Sequence, residues 1–132
     1  MAIYLDASAI AKLVNPEKES ASLRRYLDSD LPRTSSAIAM VEVLRAAKRH
    51  ESPELLLAAR EALARLALVD LDEELLEAAG LLEAPLRTLD AIHLATALAM
   101  SPALEAFVTY DRRLLDAARA AGLVAVAPGQ RS

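Results

Sequence analysis

Residues 88–97 read TLDAIHLATA, and between positions 89 and 100 only Asp90, His93 and Thr96 interrupt an apolar run. A helix that is apolar almost all round is buried on most sides, and a sheet is the surface that can cover so wide a face. Thr88 is the predicted N-cap, which puts Asp90 in the first turn. His93 follows three residues later and shares its face. Asp90 complements the helix dipole there. An unpaired charge entering such a helix is nevertheless costly, so the question is whether other acids converge on it.

The flanking sequence predicts the sheet. Residues 2–5 are short, apolar and β-prone, and they run into a helical pattern over 6–14 that Asn15-Pro16 stops. An amphipathic helix is predicted over 17–29, with Leu23, Tyr26 and Leu27 inward and its charges solvated. Residues 31–34 read as a short strand, after which Ser35 or Ser36 caps a helix running to about His50. After a break at 51–54, a helix over 55–66 completes an αα-hairpin, a candidate for self-association. Residues 67–71 form a predicted strand, and Asp70 with Glu73 resembles a capping box for a helix ending near Glu83. The helix over 88–100 leads to a strand over 106–110 and a helix over 111–121, with Gly122 as its C′ residue. A strand over 124–126 and a tail over 128–132 close the chain. Strands alternating with helices, buried on both faces, predict an α/β fold: a three-layer α/β/α sandwich with a mainly parallel central sheet.

At 132 residues the expectation is a single domain, 1–132. With 55% hydrophobic residues but only 3% aromatics, its core must be aliphatic. The absence of cysteine excludes disulfides, thiolate zinc sites and cysteine nucleophiles, and two histidines exclude a histidine-rich metal site. A metal here would be held by carboxylates, which favours Mg²⁺ or Mn²⁺. No signal peptide and no membrane-spanning stretch is seen, so a cytoplasmic protein with no membrane association is expected. The formal charge of −4 and pI near 5.2 argue against a broad electrostatic nucleic-acid binder. They are compatible with a nuclease whose acidic pocket is neutralised by metal.

Ligands of open α/β sheets sit outside the carboxyl ends of the strands. Asp6 and Asp111 each follow an apolar strand and precede a helix, so both project at that edge. Each is equally well explained as an N-cap. Glu42 lies two turns inside its predicted helix, where the simple alternative is a weak pair with Arg45, ~0.2–0.5 kcal/mol. Asp116 points off the face of Asp111 and reads as a surface acid. Four acids in one pocket, Asp6, Glu42, Asp90 and Asp111, would repel one another unless a divalent cation sat between them. Phosphodiester hydrolysis is the chemistry that needs this arrangement, with bound metal activating water and stabilising the leaving oxygen. Ser8 and Thr109, near the same strand ends, are candidates to bond metal water or phosphate, or simply caps. His93 is either a substrate-contacting or supporting group or a satisfied core residue. Lys12, Arg45, Arg87, Arg112 and Arg113 flank these segments and are candidates for RNA phosphates.

Together these stretches resemble a known family. Residues 5–12 (LDASAIAK), Glu42 in its Ser-capped helix, residues 86–97 (LRTLDAIHLATA) and residues 107–114 (FVTYDRRL) look like the four acidic motifs of the PIN domain. More narrowly they resemble the VapC-type toxins of bacterial toxin–antitoxin pairs. The likeness runs through nearly the whole chain, and the third motif is the most specific. It implies a Mg²⁺- or Mn²⁺-dependent endoribonuclease with Asp6, Glu42, Asp90 and Asp111 as catalytic metal ligands. It also implies an RNA substrate, a homodimer and a cognate VapB-type antitoxin. Ser8, His93, Thr109 and Arg112 stand as supporting or substrate-contacting positions.

Three other readings make different demands. A haloacid-dehalogenase-type phosphatase would want a second Asp where Ser8 stands, and a response-regulator receiver would need a paired N-terminal acid and a late Lys. Neither pattern is present. A housekeeping PIN-domain RNA-processing nuclease shares the four acids, and a non-catalytic interaction domain would use them only as helix caps.

Overall fold

The computed structural model describes residues 1–130. Five strands form one wholly parallel sheet: β1 (Ala2–Leu5), β2 (Arg33–Ser36), β3 (Ala67–Val69), β4 (Leu104–Val108) and β5 (Ala125–Val126), in the order β3-β2-β1-β4-β5. Seven α-helices flank it: α1 (Ala7–Val14), α2 (Ser20–Tyr26), α3 (Ile38–Lys48), α4 (Pro53–Ala64), α5 (Glu73–Gly80), α6 (Thr88–Met100) and α7 (Arg112–Ala120). The expected α/β/α layering is what the chain adopts.

Side-chain alternation along β1 divides the core between two faces. Ile3 and Leu5 pack among Ile10, Leu23, Val43 and Leu63, beneath α1 to α4. Tyr4 points the other way and packs with Leu94, Phe107, Leu114 and Leu115, beneath α6 and α7. A smaller cluster of Leu75, Ala79, Ile92 and Ala95 joins α5 to α6. Residues 92–97 of α6 are all buried, as the apolar run required, although Leu89 remains 43% exposed at its start.

Strand order runs outward from β1 toward β2 and β3, then reverses through β4 to β5. The carboxyl ends of the adjacent strands β1 and β4 therefore flank the topological switch point, where such sheets open a crevice. Asp6 immediately follows β1. Asp111 follows β4 by three residues.

Several local expectations are corrected. The helix predicted from residue 17 begins at Ser20, because the Ser20 hydroxyl accepts from the Glu17 N–H at 2.8 Å and folds that segment into a turn. Tyr26 is 38% exposed rather than inward. Ser35 and Ser36 belong to β2; Ser36 Oγ still accepts from the Ile38 N–H at 3.2 Å, but Ala37 occupies the N-cap. Glu42 consequently lies one turn inside α3, not two. Asp72, not Asp70, caps α5 by accepting from Leu75 N–H at 2.8 Å. Arg87 holds the N-cap position of α6 without a side-chain bond, and Thr88 is already helical, though Asp90 does fall in the first turn. Gly122 has the positive φ, +96°, expected of a C′ glycine. The last two residues of the tail, 131–132, lie outside the described residues.

Candidate active site

Asp6 begins as a helix cap. Its Oδ1 accepts from the Ala9 N–H at 3.0 Å, and α1 starts there. The carboxylate is buried, and two hydroxyls complete its shell: Ser8 Oγ donates to Oδ1 at 2.7 Å and Thr109 Oγ1 donates to Oδ2 at 2.6 Å. Each hydroxyl is oriented by a backbone donor. The Tyr110 N–H points to Ser8 Oγ at 2.9 Å and the Asp111 N–H to Thr109 Oγ1 at 3.1 Å. With those lone pairs engaged, the single hydroxyl hydrogen of each is aimed at Asp6. Ser8 and Thr109 thus stitch the end of β4 to the start of α1. Burial drives the Asp6 pKa up from its ordinary 3.8, against the pull of the Thr109 and Ser8 hydroxyls and of His93.

Asp111 caps α7 in the same way, with Oδ1 accepting from the Leu114 N–H at 3.1 Å. Its Oδ2 lies 3.9 Å from Arg87 Nη2. Asp90 is half-buried and makes no protein hydrogen bond among the described residues. Its pKa is raised above 3.8 by burial first and then by the negative charge of Asp111, with Glu42 adding to it; Arg87 and His93 oppose the rise. Glu42 pairs with His93, not with Arg45: its Oε1 sits 2.7 Å from His93 Nε2. It borders a cavity of about 540 Å³ that Ser8, Arg45, Arg49 and Leu89 also line.

Asp6 and Asp111 thus cap their helices while standing beyond the carboxyl ends of β1 and β4. Asp90 lies within electrostatic reach of Asp111 and Glu42, and Asp6 stands at the same end of the sheet, directly after β1. Their oxygens form a hard donor set suited to Mg²⁺ or Mn²⁺, and the repulsion felt by Asp90 is what a cation would relieve. They do not form a closed chelate: among the described residues no three acid or histidine side chains stand together in a metal-holding group. Both Asp6 oxygens, Glu42 Oε1 and Asp111 Oδ1 are engaged by protein groups.

Arg112 and His93, both candidate supporting positions, stand in different surroundings. Arg112 is turned to Asp116 at 3.6 Å on an exposed face, and Arg87 is the basic residue beside Asp111. His93 is fully inside, 1% exposed, with Tyr4 Oη 2.7 Å from its Nδ1. Sequence reasoning missed Tyr4; the signal was a phenol in an apolar strand, since a buried tyrosine hydroxyl requires a partner.

The PIN domain family model matches residues 3–120. The chain belongs to the PIN domain family. This PIN domain is 51% identical over 129 residues to Ribonuclease VapC46 of Mycobacterium tuberculosis, a match covering 96% of this chain and 98% of that protein. Its fold is similar to that of M. tuberculosis VapC20, described as a sarcin-ricin loop cleaving toxin, with a TM-score of 0.74 and 21% identity over 96% of this chain and 100% of the other. A toxin–antitoxin complex from Klebsiella pneumoniae gives a TM-score of 0.72 at 24% identity, covering 97% and 98% of the two chains. At those identities the structural likenesses concern the fold of the PIN domain.

Proposed function

We propose that this PIN domain is a metal-dependent endoribonuclease, the toxin of a toxin–antitoxin pair, with Asp6, Glu42, Asp90 and Asp111 as its catalytic acids. The carrying observation is Asp90, a half-buried carboxylate with no hydrogen-bonded partner among the described residues, its pKa raised by burial and then by the charges of Asp111 and Glu42. A carboxylate kept only as a helix cap would not be exposed to that repulsion. The 51% identity to a ribonuclease over 129 residues supports the same reading, and residues 1–132 are taken as a single PIN domain.

The four carboxylates are the groups that would hold Mg²⁺ or Mn²⁺. When bound there, such a cation supplies water activation and neutralisation of charge on the scissile phosphodiester. The chain's own residues do the rest. Ser8 and Thr109 fix both oxygens of Asp6. The N-terminus of α7 fixes Asp111. Arg87, 80% exposed on its side chain, is free to swing from Asp111 to an incoming RNA phosphate. Arg45 and Arg49 beside Glu42 extend a local basic rim despite the acidic total.

A small antitoxin partner, encoded as a VapB-type protein, and a homodimer complete the proposal. Val41 and Leu57 are 52% and 56% exposed on the α3–α4 hairpin, an apolar surface suited to association. Among the described residues no helix is long and apolar enough to cross a membrane, and a cytoplasmic site of action is proposed.

Asp90→Asn is the test. It should reduce cleavage of purified ribosomal and transfer RNA in Mn²⁺ by at least ~100-fold, while the metal-free melting temperature is unchanged or higher because a repulsive charge is gone. On induced expression, wild type should arrest bacterial growth and the variant should not. Parental cleavage by Asp90→Asn sinks the assignment of the acids.

A further inference from the structure

Glu42 reaches the crevice from α3, whereas Asp90 and His93 reach it from α6. A glutamate on an exposed helix face has many rotamers, yet this one is tied at 2.7 Å to a ring that barely touches solvent. His93 is itself held from behind. Tyr4 is fully buried, stacks on Phe107 with centroids 5.1 Å apart and planes 11° from parallel, and meets His93 edge-on at 5.9 Å and 80°. Its hydroxyl lies 2.7 Å from His93 Nδ1.

The donor pattern follows from what each group can do. An ionised carboxylate only accepts, and in a neutral imidazole one nitrogen donates while the other accepts. Nε2–H therefore points to Glu42 Oε1 whether the ring is neutral or charged, and with the ring neutral Nδ1 takes the Tyr4 hydroxyl hydrogen. Ser35 Oγ, the only buried side-chain polar atom lacking a partner among the described residues, lies beside the same phenol. Glu42 Oε2 makes no protein hydrogen bond among the described residues, so one oxygen is tied back and the other is left free.

We propose that Tyr4 and His93 are positioning residues of the nuclease: the buried chain Tyr4–His93–Glu42 fixes the imidazole tautomer and so holds the Glu42 carboxylate with Oε2 available to a divalent cation. This rests on the metal-dependent reading above and adds two residues to it that touch neither metal nor RNA. Outer-shell hydrogen bonds of this kind orient the ligand they hold, and their loss typically costs about 10–100-fold in metal affinity or activity.

The test measures Mn²⁺ affinity calorimetrically on the purified full chain, RNA cleavage, and the ring ¹⁵N shifts of His93. Wild type should show the Nε2–H tautomer. His93→Leu should weaken Mn²⁺ binding by about 10–100-fold and His93→Gln, which keeps an N–H donor, by less. Tyr4→Phe retains the stack on Phe107 and removes only the hydroxyl, so it should fold, weaken Mn²⁺ binding and disturb the tautomer. In a Glu42→Gln background neither His93→Leu nor Tyr4→Phe should cost anything further. If wild type binds Mn²⁺ and cleaves while Tyr4→Phe and His93→Leu bind it equally tightly, the positioning role is overturned and the nuclease reading stands. Losses that multiply with that of Glu42→Gln also overturn it. A wild type that neither binds Mn²⁺ nor cleaves overturns both.

Discussion

The Asp6 carboxylate shows how one side chain reconciles helix capping with burial. It nucleates α1 through the Ala9 N–H, yet it is almost completely desolvated, and two hydroxyls compensate for the water it has lost. Thr109 makes the shorter of those contacts, 2.6 Å. Thr109→Val keeps the shape and removes the hydroxyl, which should destabilise the metal-free protein by about 1.5–3 kcal/mol, the range for a hydrogen bond to a charged group. The pH dependence has a definite sign. Asp6 has a folded pKa raised above 3.8, so its ionisation weakens the fold as pH rises through that folded value, and the penalty is absent below the unfolded one. Removing Thr109 deepens a penalty on the ionised form only. Denaturant unfolding should therefore show a larger loss at about pH 7 than at about pH 4; an equal loss at both would mean that Thr109 acts through packing. Asp6 was legible in the sequence because an apolar strand ending in a charge is a local pattern. The pairing with Thr109 spans 103 residues and depends on β1 lying beside β4, which no local pattern reveals.

At the level of elements, helix starts were readable where a side chain caps its own helix and misread where tertiary contacts decide. Asp6 and Asp111 cap as their sequences suggest. Ser35 does not cap, because pairing with Leu68 of β3 draws it into the sheet. The capping-box pattern at Asp70 lost to Asp72, which has the better spacing to Leu75. The end of the chain carries an element-scale constraint of its own. Tyr110 Oη donates to the Pro128 carbonyl at 2.8 Å, and Gly129 lies against α2 at φ +87°, where an added Cβ would come within 2.7 Å of the Ser22 side chain. Gly129→Ala should cost about 1–3 kcal/mol through backbone strain and that clash. Gly80 is the contrasting case, since it closes α5 without a positive φ and with open space around it. Gly80→Ala should stabilise by about 0.4–1 kcal/mol, chiefly by restricting the unfolded chain. Melting curves moving in opposite directions for the two variants would establish that Gly129 is packed against α2; a neutral Gly129→Ala would show that the tail does not bear on α2.

For the molecule as a whole, the order β3-β2-β1-β4-β5 converts four acids scattered over the sequence into one charged edge. Burial of Asp6 and Asp90 at that edge opposes folding when they are ionised. Asp6 and Asp90 both bind protons more tightly folded than unfolded, so their contribution to metal-free stability is greatest below about pH 3.8 and is lost as pH rises through their folded values. A divalent cation held by the ionised forms would reverse the sign. Mn²⁺ should accordingly raise the melting temperature at about pH 7, by the equivalent of about 2.7 kcal/mol when free metal stands 100-fold above its Kd. The gain should shrink steadily on acidification, because protons and metal compete for the same oxygens. Asp90→Asn should lose most of it while gaining metal-free stability. A cation bound nonspecifically to the acidic surface would instead stabilise wild type and Asp90→Asn alike and would be screened by salt. Scanning calorimetry of both proteins with and without Mn²⁺, at two pH values and two ionic strengths, separates the cases: equal gains in the two proteins would remove Asp90 from the metal site, and with it the reason for the crevice to concentrate so much negative charge.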